Sequence, residues 1–109
     1  MMQKAVTFLF AGALVLAGSN LYAQKGDAAK GKEVFDQCSV CHNADSTEAK
    51  IGPGLKGLFK KPKLSTTGKA VNDANVKEKI EEGGNGMPAY KDILSDEEKA
   101  NVIAYLKTL

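Results

Sequence analysis

Both cysteines and the single histidine of this chain fall within one pentapeptide, Cys38-Ser39-Val40-Cys41-His42. No other feature limits the fold so tightly. Two thiols three residues apart, with an imidazole directly after the second, grip one group against a short stretch of backbone. The remaining residues must then fold around whatever is gripped. The chain has 109 residues, at most one small domain. Two cysteines exclude a disulfide-dense scaffold, and they exclude a zinc or iron–sulfur site built on four cysteines of one chain.

The N-terminal segment shortens the folded part further. Lys4 precedes an apolar run from Ala5 to Ala17, and Leu21-Tyr22-Ala23 ends in a small residue before charge resumes at Lys25. This is the pattern of a secretory signal, and it predicts cleavage after Ala23. The expected organisation is a signal peptide over 1–23 and one domain over 24–109. An uncleaved anchor is the competing reading, because Ala5 to Gln24 carries no charge, although Gly12, Gly18, Ser19 and Asn20 dilute it. Both readings put the domain outside the cytoplasm, in the periplasm or anchored facing it. A domain of this size is near the limit at which a protein core suffices alone, so a cofactor or other staple is expected.

Apolar residues make up 43% and charged residues 26% of the chain, which suits a folded domain and not a disordered one. Every basic residue is lysine and the net charge is only +2. Without arginine forks or a strong positive excess, nucleic-acid binding is disfavoured. The charge is nevertheless uneven. Ala49 to Asn72 holds Lys50, Lys56, Lys60, Lys61, Lys63 and Lys69 and no acid, whereas Asp73 to Glu98 is dominated by acids. The lysines are either a solvated loop surface or a docking patch.

The folded part reads as all-α with long loops. Asp27 caps a helix from about Ala28 to Gln37, whose apolar face is Ala28, Gly31, Val34, Phe35 and Cys38. Leu55 to Phe59 has room for one helical turn after Gly52-Pro53-Gly54. Asn72 or Asn75 caps a second helix that ends near Glu82, before Gly83-Gly84. Asn85 to Leu94 reads as an irregular loop. Ser95 and Glu98 form a capping box at the start of the last helix, which places Val102, Tyr105, Leu106 and Leu109 on one face.

Cys38-x-x-Cys41-His42 is the signature of covalent haem attachment. The two thiols are spaced to bond the two vinyl groups of one haem, and His42 is then placed beneath the iron as proximal ligand. The alternatives are weaker. A thioredoxin-like dithiol lacks its strand–helix context. A zinc site lacks two ligands. A Cys38–Cys41 disulfide closes a loop too small to stabilise much. For the opposite face of the iron, cleavage of the signal removes Met1 and Met2 and leaves Met87. It lies in Gly83-Gly84-Asn85-Gly86-Met87-Pro88, which is no periodic apolar face. A gap-filling core methionine is the plainer alternative. As a ligand, its thioether would raise the reduction potential.

With these residues in hand, the sequence resembles the class I c-type cytochromes, small soluble proteins with one haem. The likeness covers the whole of 24–109 and rests on Cys38-x-x-Cys41-His42, Gly52-Pro53-Gly54-Leu55, Gly86-Met87-Pro88-Ala89 and Val102-Ile103-Ala104-Tyr105-Leu106. It implies the cytochrome c fold, with three main helices and loops wrapped around one covalent haem c per chain. It implies that the first and last helices cross at Gly31 and Phe35 against Val102 and Tyr105. It gives the Pro53 carbonyl the second ring proton of His42, and it sets Leu55 and Tyr90 against the haem. The tryptophan or arginine often found near the propionates in smaller bacterial members is absent, which leaves Thr66, Thr67 and Lys69 as candidates.

A His/Met iron has no open position, so the expected function is single-electron transfer and not enzymatic turnover. The partners are redox proteins, a donor and an acceptor, docking transiently at the haem edge. Nucleic acid is not a partner, and a membrane is one only if the signal is uncleaved. Two alternatives remain: a haem-based small-gas binder or sensor, and an electron-transfer subunit fixed in a larger redox enzyme.

Overall fold

The structure is a computed structural model that describes residues 25–109. The predicted signal segment over 1–23 lies outside the described residues. Three α-helices follow in chain order: α1 (Ala28–Phe35), α2 (Asp73–Glu82) and α3 (Asp96–Leu106), with a short 3₁₀ turn at Leu58–Lys60 between the first two. Among the described residues the only β-pairing is two isolated bridges, Lys63 with Ala70 and Gly84 with Met87.

Each helix starts where its capping residue stands. Asp27 accepts hydrogen bonds from the N–H groups of Ala29 and Lys30 at 2.9 and 3.2 Å. Asn72 accepts from the Asn75 N–H at 2.8 Å, so Asn72 is the cap of α2. Asn75 instead donates its side-chain amide to the Ala70 carbonyl. Ser95 and Glu98 complete the capping box of α3 in both directions, at 3.1 and 2.9 Å. Helix α1 stops at Phe35, two residues earlier than its periodicity suggests, and the chain passes into a run of turns through Cys41. The single helical turn expected at Leu55–Phe59 forms slightly later and in the tighter 3₁₀ geometry.

Helices α1 and α3 pack closely at Gly31. A Cβ at this position would overlap the Asn101 carbonyl and stand 2.9 Å from the Tyr105 Cβ. One turn further on, the rings of Phe35 and Tyr105 meet with centroids 5.3 Å apart, inclined at 56°, a tilted arrangement that aromatic pairs favour. The crossing anticipated from Gly31, Phe35 and Tyr105 is therefore present. Val102 is 2% exposed and lies in the core beneath it.

The core comprises Val34, Phe35, Val76, Ile80, Tyr90, Leu94, Val102, Ile103 and Leu106. Four of these, Val76, Ile80, Tyr90 and Leu106, also line a cavity. The core therefore borders that cavity directly.

Two polar residues of α3, Lys99 and Asn101, are buried, which the sequence pattern does not announce. The Asn101 side chain accepts from the Asp27 N–H at 2.8 Å and ties the start of α1 to α3. Periodicity marks such positions as solvent-facing, because it reads hydrophobicity and not the needs of a neighbouring helix end.

Candidate haem site

The cavity has a volume of about 260 Å³. Its wall includes Cys38, Cys41, His42, Pro53, Leu55, Met87 and Tyr90, so every candidate ligand, attachment and packing residue named from the sequence reaches one space. The turns after α1 bring Cys38, Cys41 and His42 together. The N–H groups of Cys41 and His42 donate to the Cys38 carbonyl at 3.1 and 2.9 Å, one tight coil of backbone. Both cysteines are free thiols and half-buried. Burial, and then the neighbouring Cys41, push the Cys38 thiol above its ordinary value of 9.0.

His42 is oriented from behind. Its Nδ1 lies 2.7 Å from the Pro53 carbonyl oxygen. A carbonyl only accepts, so Nδ1 carries a proton, and in the neutral imidazole the lone pair then falls on Nε2. The loop that supplies Pro53 is anchored on both sides of His42: the Gly52 N–H donates to the Cys41 carbonyl at 2.8 Å, and the Leu55 N–H to the Asn43 carbonyl at 2.8 Å. Gly52 is required there by space, because a Cβ would meet the imidazole Cε1 at 2.6 Å.

Met87 arrives from the segment expected to be an irregular loop, and part of that segment is regular. Gly84 and Met87 exchange both backbone hydrogen bonds, at 2.9 and 3.0 Å. Asn85 and Gly86 between them have φ of 54° and 92°. This is the tight turn with two left-handed central residues for which Asn-Gly is the strongest sequence signal. The dipeptide is legible, but no strands flank it to suggest a hairpin. Gly83, with φ of 63°, turns the chain out of α2, and a Cβ there would stand 2.5 Å from the Pro88 carbonyl oxygen. Tyr90 is buried, and its phenol is held above the ordinary value of 10.0 by burial first and then by the nearby cysteines.

The three propionate candidates separate. Thr66 lines the cavity, as do Ser65, Lys61 and Lys63, whereas Thr67 and Lys69 do not. Lys69 is turned away and pairs with Glu78. Ser65, Lys61 and Lys63 escape a sequence-based reading as rim residues, because their approach depends on how the loop 61–70 folds back through the Lys63–Ala70 bridge.

The donor set fits a haem. Two thiols, an imidazole with a free Nε2 and a thioether share a mostly apolar cleft. Soft sulfur and imidazole are the ligand types that haem iron takes in low-spin electron-transfer sites. Among the described residues, no group of three or more His, Cys, Asp or Glu is placed to hold a metal ion by itself.

Comparison with known proteins agrees with this chemistry. Residues 28–109 match the cytochrome c family model. The chain is 37% identical over 122 residues to cytochrome c2 of Blastochloris viridis, covering 97% of this chain and 93% of that protein. It is 32% identical over 130 residues to a cytochrome c2 of Rhodospirillum rubrum, covering 94% of this chain and 96% of that one. Among solved structures, cytochrome c6 from the diatom Phaeodactylum tricornutum superposes with a TM-score of 0.60 at 30% identity, over 76% of this chain and 93% of that one. Cytochrome cH from Methylobacterium extorquens superposes with a TM-score of 0.59 at 27% identity, over 77% of this chain and 100% of that one. The chain belongs to the cytochrome c family: it is a class I monohaem c-type cytochrome of all-α fold, carrying covalently bound haem c as an electron carrier.

Proposed function

We propose that the haem is joined by thioethers to Cys38 and Cys41, is ligated by His42 Nε2 and Met87, and passes single electrons between partner proteins outside the cytoplasm. The observation that carries this reading is the 2.7 Å contact between His42 Nδ1 and the Pro53 carbonyl. This contact supports the reading because it occupies Nδ1, keeps Nε2 for the metal and would make the imidazole a stronger donor. When bound, the haem supplies the redox centre. The work of the chain is to fix both axial donors, to keep water from the cleft with Leu55, Leu58, Leu64, Val76, Ile80 and Leu106, and to leave an edge open. Donors held by packed loops need little rearrangement between redox states, which keeps the barrier to transfer low. Absorption spectra of the oxidised and reduced protein test this directly. The expected result is a low-spin c-type spectrum with a near-infrared methionine-to-ferric-iron band, and a high-spin spectrum would overturn the ligation.

The surface beside the motif suits transient docking. Val40 and Ile51 are 69% and 77% exposed. The segments that carry them are joined by the Lys50 Nζ, which donates to the Ser39 carbonyl at 2.9 Å. Lys56, Lys60, Lys61 and Lys63 are exposed nearby in sequence. Exposed apolar residues, with a run of exposed lysines following in the chain, fit an acidic partner, with the charges steering encounter and not setting affinity. The bimolecular transfer rate is expected to fall as ionic strength rises. A rate that climbs with salt would reverse the charge assigned to the partner.

Residues 1–23 are proposed as a cleaved secretory signal that delivers the domain to the periplasm. N-terminal sequencing of the purified protein is expected to begin at Gln24, and a start at Met1 would contradict cleavage.

A further inference from the structure

Among the described residues, Lys99 is the buried charged side chain, only 4% exposed. An ammonium in such a position is costly unless it is paired, so its partners indicate what it holds. Its Nζ donates to Glu81 Oε2 at 2.9 Å and to the Lys91 carbonyl at 2.9 Å, with Asp96 Oδ1 at 3.7 Å. Glu81 lies in the last turn of α2, and Lys77 stands 4.0 Å from the same carboxylate oxygen. Lys91 directly follows Tyr90. These two stretches of chain already touch, because the Tyr90 N–H donates to the Ile80 carbonyl at 3.0 Å and the Lys91 N–H to the Glu81 carbonyl at 3.2 Å. Residues 82–90 are therefore a loop drawn shut at its neck. One ammonium, delivered by α3, grips both sides of that neck. The loop carries the Gly84–Met87 turn and Tyr90, both of which line the haem cavity.

We infer that Lys99 is a positioning residue that clamps the neck of loop 82–90 and thereby holds Met87 and Tyr90 at the haem. The inference rests on the reading of Met87 as an axial ligand. Segments outside the helices open locally at a lower cost than global unfolding. The two backbone bonds at the neck are what such opening would break first. The ammonium adds a charge-assisted bond on either side of them, partly shielded from solvent. Its hydrogen bond with Glu81 holds Lys99 above its ordinary value and Glu81 below its own, so both stay charged through the neutral range.

The test compares the haem-loaded wild type with Lys99→Met, which keeps the length and apolar stem of the side chain. In Lys99→Met, the Tyr90 and Lys91 amides are expected to exchange with solvent about ten- to a hundredfold faster, measured against Val34 and Phe35 amides in α1. Along a urea titration, the methionine-to-iron band is expected to vanish before the helical signal does. Lys99→Arg keeps the cation and should recover part of both effects. If Lys99→Met does not fold, Glu81→Gln removes the other half of the pair and should shift exchange in the same direction. Unchanged exchange at Tyr90 and Lys91 would overturn the clamp. So would a uniform rise across all helices, since that would mark Lys99 as a general stability residue. If the wild type itself lacks the band, the ligand reading fails and the exchange result alone decides the clamp.

Discussion

Replacing Gly31 with alanine is expected to lower the unfolding midpoint of the haem-loaded protein by about 12–24 °C, from a loss of about 3 kcal/mol in a domain of this size. An exposed helical glycine normally gains about 1 kcal/mol from this change. Here the gain is overwhelmed. The added methyl group would overlap the Asn101 carbonyl of α3 and stand 2.9 Å from the Tyr105 Cβ. Neither obstacle is the end of a flexible side chain, so the helices must separate. Separation would also open the Phe35–Tyr105 ring contact and stretch the hydrogen bond from the Asp27 N–H to Asn101. Gly57 provides the control. It has φ of 71°, but a methyl group added there would meet nothing within 4 Å, so alanine costs only left-handed backbone strain, about 1–2 kcal/mol. Thermal unfolding followed by circular dichroism measures both. A shift for Gly31→Ala no larger than that for Gly57→Ala would mean that the helices do not cross on bare backbone.

Met87→Ala is expected to remove the near-infrared band while leaving the haem attached. The reduction potential is then expected to fall by something on the order of 100 mV or more, because the thioether is the ligand that raises it. The effect should be large because Met87 is, among the described residues, the only methionine of the cavity wall, and on the proposed attachment the sulfurs of Cys38 and Cys41 are already bonded to the haem. The loss of the thioether should also open a coordination position, so that reduced Met87→Ala binds carbon monoxide rapidly and the wild type slowly. Persistence of the band in the variant would remove Met87 from the site. Rapid binding by the wild type would favour a gas-binding role over electron transfer.

Local rules carry much of this fold. Asp27, Asn72 and Ser95 announce three helix starts because a cap is chosen by the few N–H groups beside it. The Cys38–His42 motif identifies one wall of the site for the same reason: covalent attachment needs fixed spacing. The parts that stay hidden in the sequence depend on contacts distant along the chain. Lys99 and Asn101 look like surface residues on α3 until the neck of the 82–90 loop and the start of α1 are placed against them. Lys61, Lys63 and Ser65 reach the cavity rim only because their loop folds back on itself. The Asn85-Gly86 turn is an intermediate case, in which a strong local signal stands without the flanking strands that would make it a hairpin. Candidate ligands are thus legible, and so is Pro53 behind His42, whereas Lys99 at the neck of the 82–90 loop is not.

Every property assigned to the site depends on a covalent bond between the haem and this particular stretch of chain. Mass spectrometry of the tryptic peptide Glu33–Lys50 tests it, using protein matured in its native host, denatured and extracted with acid–acetone before digestion. The peptide is expected to retain the full mass of one haem on Cys38 and Cys41. A peptide at its unmodified mass, with the pigment released into the solvent, would contradict the attachment.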